Sequence, residues 1–216
     1  MYKVVEPNLS VYALTRRIPD KRHFIHHRRT MSLISREIEN ASILDRAHNR
    51  IFAGFQVMSK FLPQQKRYEQ LAARAESVYV FGIMDVIPPP IPNVTYIQLD
   101  PHAQLAKEWF LISYGDSFMS TLATEEQSTL DMPDDERIFH GAWTFDGEMV
   151  EILNDWLSSA VNALPLHIDP GQRNAVRQID IMSHIMGRMT RYLGTADSPV
   201  VAQELERSMQ AAVKEN

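Results

Sequence analysis

Apolar and polar positions follow two periods along this chain. Residues 50–56, Arg-Ile-Phe-Ala-Gly-Phe-Gln, and residues 77–82, Ser-Val-Tyr-Val-Phe-Gly, are short apolar runs closed by a polar residue or a glycine. Between them, residues 64–76 carry Tyr68, Leu71, Ala72 and Ala75 at helical spacing, after a break at Pro63. Strand, helix and strand in that order predict a βαβ unit and place the chain in the mixed α/β class. Upstream, Ser10 is a candidate cap for a short helix. Ser32 is a candidate cap for a second helix running to about Asp45, with Leu33, Ile34, Ile38 and Ala41 on one face.

Downstream, the prolines at 88–90 and 92 exclude helix and central strand, because proline lacks the N–H and fixes φ. A strand over 94–99 follows, and Asp100-Pro101 suits the start of a short helix. Residues 109–114 and 118–123 flank Gly115-Asp116-Ser117 and predict a hairpin. Residues 125–136 read as an acidic exposed loop, and 137–145 as a further strand. Asp146 caps the strongest helical pattern, with Met149, Ile152, Leu153, Trp156, Leu157, Ala160, Val161 and Leu164 on its stripe. The expectation is an α/β domain of about six strands, partly parallel and partly antiparallel, with helices on both faces, over residues 1–164.

Residues 165–216 predict a helical extension beyond a boundary at Pro165–Gly171. One helix, over about 172–193, carries Val176, Ile179, Met182, Met186, Met189 and Leu193 and is expected to stop at Gly194. A second starts at Ser198-Pro199 and carries Val201, Leu205 and Met209. Together they form an αα-hairpin whose apolar faces need a cover. The sheet domain or a second chain would serve. Because the helix after Asp146 already closes the core, the pattern favours a homodimer or a signalling partner protein docked on Val176, Ile179, Met182, Met186, Met189, Leu193, Val201 and Leu205.

Composition narrows the function classes. The chain has 216 residues and no cysteine, which excludes a disulfide framework, a thiolate metal site and a cysteine nucleophile. No apolar run approaches the roughly 20 residues that span a bilayer, and the first ten residues are too polar for an export signal. A cytoplasmic protein with no membrane partner is expected. Residues 16–29 hold six Lys/Arg against one Asp, a local +5 in a chain of net charge −5. The acidic remainder argues against nucleic acid as a general partner, while the basic segment suits an anionic small molecule or, in an alternative reading, DNA phosphates.

Candidate chemistry is sparse. Arg28 and Arg29 offer guanidinium forks to an anion such as a nucleotide or cyclic dinucleotide. Phe55, Tyr79, Trp109 and Trp143, together with Phe52, Phe81 and Phe110, supply aromatic faces for a planar ligand, although strands also use such residues simply to pack. Gln56 closes an apolar strand with an amide that can bind a ligand or satisfy a nearby backbone group. No HExxH box, GxSxG elbow or phosphate-binding glycine loop is present. The histidines show no metal spacing, and His184 on its helix lacks the flanking pattern of a phosphoacceptor. No catalytic or metal residue is assigned, and no cofactor is specified.

Taken in order, Arg28-Arg29-Thr30-Met31-Ser32, Phe52-Ala53-Gly54-Phe55-Gln56, Phe61-Leu62-Pro63, Arg67-Tyr68, Leu71-Ala72, Val78-Tyr79-Val80-Phe81-Gly82, the proline-rich stretch, Leu99-Asp100-Pro101, Glu108-Trp109-Phe110 and Trp143-Thr144-Phe145-Asp146 resemble the DICT sensory domain over about residues 8–164. The resemblance implies a bacterial sensory or regulatory role without catalysis. In that family the domain sits beside cyclase, phosphodiesterase, kinase or DNA-binding output modules, and a role in light response has been proposed. This sequence carries no cyclase signature or kinase glycine box, so the resemblance implies that a partner protein supplies the output. Without a cysteine, any pigment would be held noncovalently.

Overall fold

The computed structural model describes residues 3–4, 6, 8–16, 18, 23–128, 132–133 and 136–197. In chain order the elements are β1 (Lys3–Val4), α1 (Val11–Thr15), β2 (His23–His27), α2 (Arg28–Ile43), β3 (Arg50–Val57), α3 (Met58–Phe61), α4 (Gln65–Ala72), β4 (Ser77–Ile83), β5 (Val94–Gln98), β6 (Glu108–Tyr114), β7 (Ser120–Glu126), β8 (Ile138–Thr144), α5 (Gly147–Ala160) and α6 (Ala175–Asp197). The strands form one sheet of eight, in the order β1-β5-β4-β3-β6-β7-β8-β2.

β3 is the seam of this mixed sheet. It runs parallel to β4, with Arg50 beside Ser77 and Gly54 beside Phe81, as the βαβ reading expects. On its other edge it pairs antiparallel with β6, from which the antiparallel half of the sheet continues. Alternate β3 side chains then serve separate cores. Ile51 and Ala53 pack with α2, α3, α4 and α6 on one face, while Phe52 packs with α1 and α5 on the other. The helices cover both faces, as expected.

Several elements differ from the sequence reading. The sheet has eight strands rather than about six. The two added ones, β1 and β2, are its edges, and the His-rich polar sequence of β2 hides its pairing with β8. α2 begins at Arg28, not at Ser32, because His27 leaves β2 in extended geometry and the chain turns straight into the helix. α5 is capped by Asp146, as expected, through bonds from the N–H groups of Glu148 and Met149. Its buried face is Val150, Leu153, Asn154 and Leu157, while Ile152 is exposed and Leu164 lies beyond the helix end. Instead of a helix after Asp100, a turn leads to a single 3-10 turn at Gln104–Lys107.

α6 runs through Gly194 rather than stopping there. It lies on α2 through Ile181 and Ile185, both outside the expected stripe and both buried. Met182 and Met189 pack at the margin of that contact. Val176, Ile179, Met186 and Leu193 point outward, at 79%, 64%, 67% and 55% exposure. The second helix of the expected hairpin, with Val201, Leu205 and Met209, lies outside the described residues. Among the described residues, no helix is long and apolar enough to cross a membrane.

A buried carboxylate fastens α1 to the sheet. Glu108, at the start of β6, accepts hydrogen bonds from Ser10 Oγ (2.6 Å) and from the N–H groups of Val11 (2.9 Å) and Tyr12 (3.1 Å). Burial pushes its carboxyl from an ordinary 4.5 up to about 7, against the opposing effect of those hydrogen bonds.

Two outcomes are expected. The folded protein keeps the Glu108 proton up to about pH 7, whereas the unfolded chain releases it near 4.5. The stability this group contributes is therefore full below pH 4.5 and declines as pH rises through 7. Urea melts across that window should show this slope, and Glu108→Gln should flatten it. At Gly141 of β8, an added Cβ would lie 2.2 Å from the Ala123 carbonyl oxygen and 2.6 Å from Thr124 Cα. Both are backbone atoms that cannot swing aside, so Gly141→Ala should lower stability by about 1–3 kcal/mol or more, read as a lower denaturation midpoint.

Candidate ligand pocket

The sheet opens at the carboxyl end of β3. Pairing with β6 runs as far as Ala53 beside Leu111. Pairing with β4 runs to Gly54 beside Phe81 and resumes only at Val57 beside Ile83. Phe55 and Gln56 therefore have no registered neighbour on either strand. Gln56 takes a φ of 61°, in the left-handed region that non-glycine residues seldom enter. The result is a bulge against β4, at a point where the pairing with β6 has already ended.

Gly54 makes the opening deep. A Cβ there would sit 2.5 Å from the ring of Phe110, so only glycine lets that ring pass so close to β3. Phe110 belongs to the core on the opposite face of the sheet, yet it also lines the pocket. The cleft and the open solvent at its mouth together span about 720 Å³. Its walls come from α2 (Arg28, Ser32, Arg36 and Glu39), from α3 and α4 (Lys60 and Tyr68), from β3 (Gly54, Phe55 and Gln56), and from Trp109 and Arg137.

One wall is a closed polar triangle. Arg137 donates to Glu126 through Nε and Nη2, each at 2.5 Å, and both side chains are almost fully buried. Gln56 Nε2 donates to the same carboxylate at 2.8 Å, and Gln56 Oε1 accepts from Arg137 Nη2 at 2.8 Å and from Lys60 Nζ at 3.4 Å. Ser128 Oγ completes the set at 2.9 Å. Burial tends to raise the Glu126 carboxyl, but the hydrogen bonds from Arg137, Gln56 and Ser128 outweigh it and hold the group below the usual carboxylate range. It stays charged.

Glu39 sits on the α2 wall, bonded to Arg67 Nε. Burial raises its carboxyl while Arg67 and the Tyr68 hydroxyl oppose the rise. Burial, reinforced by the neighbouring Glu39 charge, pushes the Tyr68 phenol well above its ordinary value. Trp109 is fixed by an N–H bond to Ser35 Oγ (3.0 Å) and by the edge of Phe139 at 5.5 Å, and the Arg28 guanidinium lies 5.9 Å over its ring. Ionised groups tied to one another and a rigid aromatic wall suit holding a molecule.

Arg28, Phe55, Gln56 and Trp109, four of the candidate ligand residues named from sequence, converge here with Phe110, one of the aromatics named beside them. Three others lie elsewhere. Arg29 turns to α6, with Nε 3.0 Å from the Tyr192 hydroxyl. Tyr79 points to the opposite face and stacks on Phe52 at 5.0 Å. Trp143 donates to Ser120 Oγ at 2.9 Å and packs on Phe145. The sequence reading missed Arg36, Glu39, Lys60, Tyr68, Glu126 and Arg137. Arg36 and Glu39 share the helical face of Ser32, a signal that was present. Glu126 and Arg137 flank the acidic loop, and nothing local shows that they meet.

Fold and pocket together define a mixed-sheet α/β domain with helices on both faces and a cleft at the seam. Residues 8–127 match the family described as the sensory domain in diguanylate cyclases and two-component systems, DICT. The chain belongs to the DICT family and has a sensory or regulatory role in signalling. No curated protein matches. Among solved structures, the polyphosphate kinase of Porphyromonas gingivalis is similar at 13% identity and a TM-score of 0.38. That overlap covers 77% of this chain and 28% of the kinase chain, so this chain spans less than a third of that protein. A likeness this loose says nothing of activity.

Arg137→Ala would leave the Glu126 carboxylate buried without its counter-charge. The expected loss is about 3–5 kcal/mol in equilibrium urea unfolding. Replacing both members, as in Arg137→Met with Glu126→Leu, should recover most of that stability while disordering the Gln56 amide, visible as faster exchange of the amides at 54–56.

Proposed function

We propose that this chain is a non-enzymatic sensory protein in which a small molecule enters the pocket at the end of β3 and the change is read at α6. The observation that carries this reading is that α2 serves both sites. Its Arg28, Ser32, Arg36 and Glu39 line the pocket. On its other side, Glu37 accepts from Arg188 Nε at 2.5 Å, and Asp45, just beyond the helix, accepts from Arg188 Nη2 at 3.0 Å and contacts His184 Nδ1 at 2.9 Å. Arg29 reaches Tyr192 from the same helix. A ligand that favours one position of α2 over another shifts the α6 contacts with it, in proportion to its differential affinity for the two arrangements.

α6 presents the outlet. Ile179, Met186 and Leu193 recur every seven residues on its exposed side, the repeat used in helix pairing. This supports a homodimer through α6, with Val176 at the margin, or the docking of a signalling partner protein there. The DNA-linked alternative is less well supported, because Arg28 turns into the pocket and Arg29 against Tyr192, which splits the basic segment. A nucleotide or a noncovalently held pigment would each fit the proposed input, in the cytoplasm.

Native mass spectrometry of the purified full chain should find a small anionic molecule, and its removal should speed hydrogen exchange in both α2 and α6. Faster exchange at the pocket alone would break the proposed relay. In analytical ultracentrifugation the chain should sediment as a dimer. Ile179→Glu with Met186→Glu should give folded monomers with native circular dichroism and a thermal midpoint lowered only by the lost association, because both side chains point away from the subunit core. A monomeric parent chain would overturn the dimer.

A further inference from the structure

We propose that the proline-rich segment 87–91 is a ready-made ligand for a partner protein, a polyproline II ridge that docks into a groove lined by aromatic side chains. None of its residues lines the pocket or belongs to α6, so this surface is additional to the input and outlet of the sensory reading.

The sequence sets the backbone. Proline fixes φ at about −65° at positions 88, 89, 90 and 92, and each residue that precedes a proline (Ile87, Pro88, Pro89 and Ile91) is pushed out of the helical region. Together these restraints select polyproline II, a left-handed helix of about three residues per turn without internal hydrogen bonds. Residues 87–91 accordingly lie outside every helix and strand, and the run is closed by Asn93, whose φ of 64° is left-handed.

Burial repeats with the same period of three. Pro88 and Ile91 are buried, whereas Ile87 and Pro90 are exposed, Ile87 at 81%. One side of the ridge is thereby anchored on the protein. Ile91 joins the core shared by Phe61 and Tyr68, and its carbonyl accepts from the N–H of Val94 at 3.1 Å. Tyr96 donates its hydroxyl to the Pro89 carbonyl at 2.8 Å, and its own ring stands edge-on to Phe61 at 5.5 Å. The opposite side presents an isoleucine and a proline one turn apart.

A single exposed isoleucine means little, since folded surfaces carry many apolar atoms. Here it shares a face with Pro90 on a backbone that is already fixed, so little chain entropy is lost when a partner covers the ridge. The carbonyls of Ile87, Pro88 and Pro90 accept no hydrogen bond from the described residues. Apolar rings at three-residue spacing with open carbonyls between them are what aromatic grooves read in proline-rich segments: the rings pack on the aromatic faces, and a Trp or Tyr donor takes a carbonyl.

Calorimetry of the full chain against three isolated proline-reading domains, an SH3, a WW and an EVH1 domain, tests this. Expected is saturable binding of at least one of them, about tenfold weaker in Ile87→Asp with Pro90→Asp. That variant should keep the parent's circular dichroism and thermal midpoint, because both side chains face solvent. Leu164→Asp removes an apolar side chain of 82% exposure elsewhere on the surface and should leave the affinity unchanged. No binding of any of the three domains, undiminished binding by the double variant, or an equal loss in Leu164→Asp overturns the proposal. In sedimentation, the double variant should associate as the parent chain does. A parent dimer that becomes monomeric on this change would give the ridge to a second copy of the chain and overturn the partner named here.

Discussion

The buried ion pair of Arg137 and Glu126, closed by the Gln56 amide, is the interaction on which the rest of the pocket depends. Two charges removed from water are stable only if they face each other and their remaining hydrogen-bonding capacity is used. Here Gln56 supplies both a donor to the carboxylate and an acceptor to the guanidinium. That requirement ties the Gln56 side chain, at the end of β3, to Glu126 at the end of β7 and to Arg137 just before β8. It offsets the cost of a left-handed residue at Gln56 and leaves Phe55 and Gln56 without registered strand neighbours. The cleft follows from an electrostatic constraint acting on one strand.

The same constraint sets where α2 lies. Beside this strand end, Trp109 and the aromatic group of Phe55, Phe61 and Tyr68 fill one side of the helix. α6 takes the other, through Ile181, Ile185 and the ion pairs of Arg188. Burial tends to weaken the Arg188 charge, and the bonds to Asp45 and Glu37 more than compensate, so the guanidinium sits above its ordinary value and remains a charged tie. A helix gripped on one face by a cleft and on the other by a charged latch can couple the two, as a sensory domain of the DICT family requires.

Much of the fold was legible because local pattern and tertiary environment agree there. The alternation around Phe52 and Val80, the hairpin at Gly115 and the Asp146 cap are all decided within a few residues of sequence. The edges were not legible. β1 is two residues long, and β2 reads His-Phe-Ile-His-His, so each gains strand structure only from the neighbour it pairs with. In α5 the apolar stripe is broader than the contact, and packing against the sheet selected Val150 over Ile152. In α6 the sheet domain took the Ile181–Ile185 side of a helix that is apolar on more than one face.

By itself the sequence determined a mixed α/β domain, its central βαβ unit, the family, and four residues of the cleft, because Arg28, Phe55, Gln56 and Trp109 stand out by type at strand or helix ends. Tertiary structure alone decided that these four meet, and that Arg29, Tyr79 and Trp143 do not join them. Tyr79 falls on the far face because strand side chains alternate, and Arg29 turns away because neighbours on a helix lie about 100° apart. Glu126 and Arg137 were beyond reach for a different reason. A buried pair is a property of two places in space, and neither place has a mark in the sequence around it.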